Sequence, residues 1–169
     1  QSDLQLMEQS IPDYMDSEPF HTYYMTVSGH MNYNFTGNAM SIKHQAEVAE
    51  LDMSEEAAAY LACNMELDQA LAYTLEELEK AGELENTVIC LSGDHYPYGM
   101  DPATWDEFYG GPMDTGFEVY HSTLILWSGD MTEPVVFEKP CESLDILPTL
   151  LNLFGLEYDS RLLAGRDIL

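Results

Sequence analysis

A long amphipathic pattern that ends at a glycine and gives way to a short apolar run most restricts what this chain can fold into. Ser54 precedes Glu55 and Glu56, which suits a helix start: a hydroxyl for the unpaired amides and acids at the positive end of the dipole. Leu61, Met65, Asp68, Leu71, Leu75 and Leu78 then recur at three- and four-residue steps, and Lys80 and Gly82 supply stop signals. The Met and Tyr residues of this helix read as core packing, and Asp68, on or near the stripe, as the maker of a specific hydrogen bond. Thr87 to Leu91 (Thr-Val-Ile-Cys-Leu) is β-branched and apolar, and predicts a buried strand of a parallel sheet. A covering helix that feeds such a strand belongs to an α/β sandwich.

Directly beyond that strand come Ser92-Gly93-Asp94-His95-Tyr96. Ligands of open α/β sheets bind past the carboxyl ends of strands, and an adjacent carboxylate and imidazole can hold a divalent ion such as Zn²⁺ or Mn²⁺. The same pair also fits a turn in which Asp94 caps local amides and His95 is solvated. Phe20 to Val27 has the aromatic and β-branched content of a second strand, and it too ends in a polar group, Ser28-Gly29-His30.

Charge narrows the partners. Thirty-one Asp and Glu stand against five Lys and Arg, a net of −26 in 169 residues. Such a surface repels nucleic acid and anionic membrane, which excludes both as direct partners. It also repels phosphate and sulfate esters unless a bound cation reverses the local field. Hydrophobic residues at 46% provide for a folded core despite that charge. Cys63, Cys90 and Cys141 are widely spaced, contain no CxxC pair and give no disulfide framework; the first two read as small buried hydrophobes.

The remaining stretches are read in order. Gln1 to Pro19 is an acidic lead-in with at most a short helix, Met31 to Asn38 a loop over the site, and Ser41 to Leu51 a short helix. Pro97 to Thr115 is a long loop whose aromatics, with Tyr96, either wall a pocket or pack the loop. Asp101, Asp106 and Asp114 within it read as solvated charges. Ser122 to Trp127 is a strand with His121 at its entry, Val135 to Phe137 a short strand, Ser143 to Gly155 a helix, and Arg161 to Leu169 a tail with a final extended segment. His21 and His44 read as surface or structural.

Four stretches carry a resemblance to a known family. Tyr24-Met25-Thr26-Val27-Ser28-Gly29-His30-Met31-Asn32-Tyr33 is the first. The run from Leu71 to His95, with Asn86-Thr87-Val88 and Gly93-Asp94-His95-Tyr96, is the second. Ser143-Leu144-Asp145-Ile146-Leu147-Pro148-Thr149-Leu150-Leu151 and Gly165-Arg166-Asp167-Ile168-Leu169 complete the set. In this order they resemble the sulfatase and alkaline-phosphatase superfamily, and within it the lipoteichoic-acid-synthase branch of phosphoglycerol transferases. The resemblance implies a partial three-layer αβα sandwich with a mainly parallel sheet, residues 1–169 forming one partial domain behind the 1–19 lead-in.

It further implies that Asp94 and His95 are ligands of one divalent ion (Mn²⁺, Mg²⁺ or Zn²⁺) and that His30 contacts the substrate or the transferred phosphoryl group. His121 is a weaker candidate for a further ligand, as in two-metal relatives. The family's threonine nucleophile and acidic ligand have no match here and are expected before Gln1, so the chain resembles a carboxyl-terminal half and is expected to be inactive alone. The implied partners are a small or lipid-linked phosphoglycerol, phosphate or sulfate ester and the remaining half of the domain. The implied location is the outer face of a bacterial membrane. A sulfatase, with an oxidised cysteine or serine nucleophile, and a non-enzymatic acidic cation-binding module are the alternatives.

Overall fold

The computed structural model describes residues 1–169, which form two compact units, Gln1–Asp130 and Met131–Leu169. The first is built on α4 (Glu55–Ala81), preceded by α1 (Asp3–Tyr14), α2 (Ala39–Lys43) and α3 (Gln45–Val48) and followed by β1 (Val88–Ser92), α5 (Pro102–Tyr109) and β2 (Leu124–Ser128). The second unit holds α6 (Ile146–Leu153).

The start and stop signals of α4 operate as expected. Ser54 Oγ accepts from the Ala57 amide at 3.3 Å, and Gly82, at φ +79°, donates its amide to the Leu78 and Glu79 carbonyls. The deeply buried face, however, is made of small residues: Ala57, Ala58, Ala59, Ala62, Cys63 and Ala70. The leucine stripe is only half-buried except at Leu78. Helices α1, α2 and α3 all pack on α4, and short side chains admit their backbones closely. Asp68 is exposed; the acid on the covered face is Glu66, two residues earlier. Its Oε2 accepts from Lys43 Nζ at 2.6 Å and from His44 Nε2 at 2.8 Å, while Glu47 Oε1 lies 3.2 Å from His44 Nδ1. His44 is 2% and Glu66 0% exposed, so this pair ties α2 to α4 from inside. Burial opposes ionisation of Glu66, but the hydrogen bonds from Lys43 and His44 outweigh it and hold its carboxyl below the usual range.

Several expectations need correction. The 1–19 stretch contains a 12-residue helix rather than a short one, with Met7 and Ile11 buried against α4. Its capping box is Ser2 with Gln5. The Ser41–Leu51 helix is two short helices broken at His44. The long loop after His95 contains α5, started by Asp101, whose Oδ1 accepts from Ala103, and by Pro102, and stopped at Gly110. Phe20–Val27 and Val135–Phe137 are not strands of any sheet. The chain is α/β, but its sheet has two strands, and they run antiparallel, Val88 opposite Ser128 and Ser92 opposite Leu124. Phe20–Val27 stays outside it because that segment docks by a side chain instead: Tyr24 OH bonds Ser10 and Tyr14 of α1.

In the second unit the Ser143–Gly155 helix opens as a 3-10 turn, Ser143–Asp145, before α6. Asp145 binds the closing segment to it: Oδ1 accepts from the Arg166 amide at 2.8 Å and Oδ2 from the Glu142 amide at 3.0 Å. Those two amides hold its carboxyl below the ordinary range.

Both acids have depressed pKa values, so their contribution is complete above the unfolded values, about 4.3 for Glu and 3.9 for Asp. It is lost as pH falls through the folded values. Urea melts across pH 2–7 are expected to show a smaller acid-limb loss in Glu66→Gln and Asp145→Asn than in the native chain. Glu66→Ala is expected to cost roughly 1.5–3 kcal/mol near neutral pH, as for a lost hydrogen bond to a charged group.

Candidate metal and ester site

The chain leaves β1 at Ser92 and turns through Gly93, which places Asp94 and His95 just beyond the strand's carboxyl end. Asp94 Oδ1 accepts from the His95 amide at 2.9 Å, the local cap expected of a turn. Its second oxygen is turned the other way, and Oδ2 lies 3.7 Å from His95 Nε2. His95 Nδ1 lies 2.8 Å from the Tyr96 carbonyl. A carbonyl only accepts, so Nδ1 carries the proton and Nε2 presents its lone pair. The carboxylate oxygen and the imidazole nitrogen thus lie close enough together to share an ion, and in the neutral ring the backbone bond leaves the lone pair on Nε2. Metal–oxygen and metal–nitrogen bonds of about 2.1 Å each are compatible with that 3.7 Å separation. The side chains are 74% and 37% exposed, so the point is open to further donors. These two donors do not belong to a cluster of three or more metal-binding side chains.

His30 arrives from a different part of the chain. A turn closed by its own amide on the Val27 carbonyl at 3.0 Å brings its ring 5.6 Å from that of His95, edge to face. Gly29 fits closely within this turn: a Cβ there would sit 2.6 Å from Asn64 Oδ1 on α4, so that side chain would have to shift. Met31 and Asn32 follow with φ +64° and +54°. Two successive non-glycine residues in the left-handed region cost on the order of 1 kcal/mol each and persist only where surroundings hold them.

Of the loop aromatics, Tyr98 joins the site, 4.8 Å from the ring of His95 and 6.5 Å from that of His30. Tyr96 packs instead on Trp105 and Tyr120, and Phe108 on Tyr60. The loop thus does both jobs, Tyr98 lying beside the two histidines and Tyr96, Trp105 and Phe108 packing, while Tyr109 is exposed. His121 is 79% exposed with Nδ1 3.9 Å from Glu118 Oε2. Asp101, Asp106 and Asp114 are exposed, as expected of solvated charges, and Asp106 and Asp114 also accept the backbone amides of Met113 and Gly116. His21 is exposed and His44 is the buried partner of Glu66.

A sulfatase family model matches residues 2–156, nearly the whole chain and all of this geometry. The chain belongs to the sulfatase family. Among curated relatives it is similar to the lipoteichoic acid synthase of Staphylococcus saprophyticus, 25% identical over 93% of this chain and 24% of that protein. The lipoteichoic acid synthase-like protein YvgJ of Bacillus subtilis is 25% identical over 99% of this chain and 27% of its own length. Rat steryl-sulfatase is 28% identical over 62% of this chain and 20% of its own. The chain thus spans about a quarter of the length of these relatives. No helix in it is long and apolar enough to cross a membrane.

The close approach at Gly29 gives a direct check. Gly29→Ala is expected to lower stability by about 1–3 kcal/mol, the usual cost of overpacking. Adding Asn64→Ala should recover part of that loss in a double-mutant cycle read by urea denaturation.

Proposed function

We propose that this chain is part of a metal-dependent enzyme that acts on phosphate or sulfate esters, with transfer of a phosphoglycerol group as its reaction. The observation that carries this reading is the convergence of Asp94 Oδ2 and His95 Nε2, 3.7 Å apart with the imidazole tautomer fixed. The phosphoglycerol branch is supported by coverage: the two lipoteichoic-acid-synthase relatives align with 93% and 99% of the chain, steryl-sulfatase with 62%.

Asp94 and His95 would hold one divalent ion, Mn²⁺, Mg²⁺ or Zn²⁺, which supplies positive charge for the ester oxygens and for a nucleophilic hydroxyl. In a chain of net charge −26, such a cation is also what lets an anionic ester approach. His30, whose ring lies 5.6 Å from that of His95, would donate a hydrogen bond to the transferred group or to the leaving oxygen. Tyr98 lies beside both rings. Residues 1–169 offer no match to the family's threonine nucleophile or acidic ligand, which the remaining half of the domain would supply. The whole protein would then act at the outer face of a bacterial membrane. The steryl-sulfatase relative favours sulfuryl chemistry as the second reading, which an oxidised cysteine or serine nucleophile in place of threonine would establish.

Calorimetric titration with Mn²⁺ and Zn²⁺ tests the site. One ion per chain is expected, with affinity at least tenfold weaker in Asp94→Ala and His95→Ala. Diffuse binding unchanged by either substitution would leave an acidic cation-binding module without an enzymatic site. Residues 1–169 alone, with Mn²⁺ added, are expected to give no phosphodiesterase turnover.

A further inference from the structure

We propose that Asp3 and Asn38 are positioning residues whose joint grip on the Val27–Met31 backbone sets His30 over the Asp94–His95 pair. The turn that carries His30 has no strand ladder on either side, so its backbone groups depend on other partners. Asp3 is 1% exposed and forms no ion pair. Its Oδ1 accepts from the Val27 amide at 2.8 Å, and both its oxygens lie 3.3 Å from the Ser28 amide. In return the Asp3 amide donates to Ser28 Oγ at 2.9 Å. A carboxylate buried without a countercharge is costly unless such bonds satisfy it, and here they all fall on two residues just before His30.

Asn38 grips the far side. Its Nδ2 donates to the Ser28 carbonyl at 3.0 Å and to the Met31 carbonyl at 3.3 Å, one contact on each side of Gly29-His30. Its Oδ1 meanwhile accepts from the Met40 and Ser41 amides at the start of α2. One side chain therefore joins the His30 turn to a helix that Glu66 fixes onto α4. The bond to Met31 falls on the first of the two left-handed residues, where an unheld chain would relax to negative φ. His30 is itself exposed, and its ring touches the site only through aromatic contacts. Its position is thus set by the backbone, and the backbone is set by Asp3 from α1 and Asn38 from α2. The purpose assigned to this grip rests on the reading of His30 as the substrate-side group; the grip does not.

Histidine side-chain NMR of the full chain tests this. The informative variant is Asn38→Asp, which keeps an oxygen to cap α2 but removes the Nδ2 donor. The expected result is loss of the His30–His95 ring NOE and movement of the His30 ring signals to solvent-exposed positions, with the signals of buried His44 unchanged. Asp3→Ala, which removes both acceptor oxygens, is expected to give the same loss. An unchanged His30–His95 NOE in Asn38→Asp, with His44 in place, would overturn the proposal, since a purely helix-capping role predicts that silence. Mn²⁺ added as a paramagnetic probe separates the two readings. It should broaden His95 in both native and Asn38→Asp chains but His30 only in the native one. Failure to broaden His95 in the native chain refutes the metal reading and leaves the grip to be decided by the metal-free NOE.

Discussion

The alanine face of α4 is the constraint from which the rest of the first unit follows. Ala70 receives Met7 and Ile11 of α1, and Ala58 and Ala62 receive Val48 of α3, so these helices can lie close. Large side chains there would hold those helices off, and with them the turn that carries His30. Packing of small residues alone gives little orientation, because it presents few ridges for neighbours to lock into. Orientation comes from polar contacts set within that face. Glu66 takes Lys43 and His44, and Asn64 abuts Gly29. A buried carboxylate with two donors is directional in a way that alanine is not, and it selects one seating of α2 from many that would bury similar area.

The side chains of the candidate site sit at the end of this chain of dependence, on loops rather than on regular elements, as is common where a rigid scaffold positions mobile chemistry. Asp94 and His95 are carried by β1 and fixed by contacts within the turn itself. His30 has one local bond, from its amide to the Val27 carbonyl, and the rest of its support comes from side chains of distant segments, Asp3 and Asn38. The two halves of the site are therefore held by different means, one local and one tertiary.

That difference also explains what the sequence disclosed. The α4 boundaries were legible because caps and dipole acids act within one turn of the helix. The Asp94–His95 pair was legible because a polar pair after an apolar strand is a local pattern. Ser2-x-x-Gln5 and Asp101-Pro102 with Gly110 were equally local signals for α1 and α5, but acidic composition around the first and the aromatics of the second obscured them. Asp68 and Glu66 could not be separated by stripe counting, since the covered face is set by which neighbours arrive, and those neighbours pack on alanine. Sheet direction and the fate of Phe20–Val27 were not legible, because strand pairing depends on partners remote in sequence. Family resemblance, not periodicity, pointed to His30.

The Phe20–Val27 segment has a consequence of its own. Tyr23, Met25 and Val27 alternate along it and are all exposed, beside a backbone that joins no sheet and is hydrogen-bonded only at Val27. Unpaired backbone flanked by apolar side chains is a template for sticking to another copy. What keeps molecules apart is colloidal repulsion from a net charge of −26. That protection fades as carboxyl groups take up protons toward the isoelectric point, near pH 4.1. Mild acid therefore disarms the electrostatic guard over an adhesive ribbon, and clumping at the isoelectric point is a property of the exposed edge as much as of unfolding.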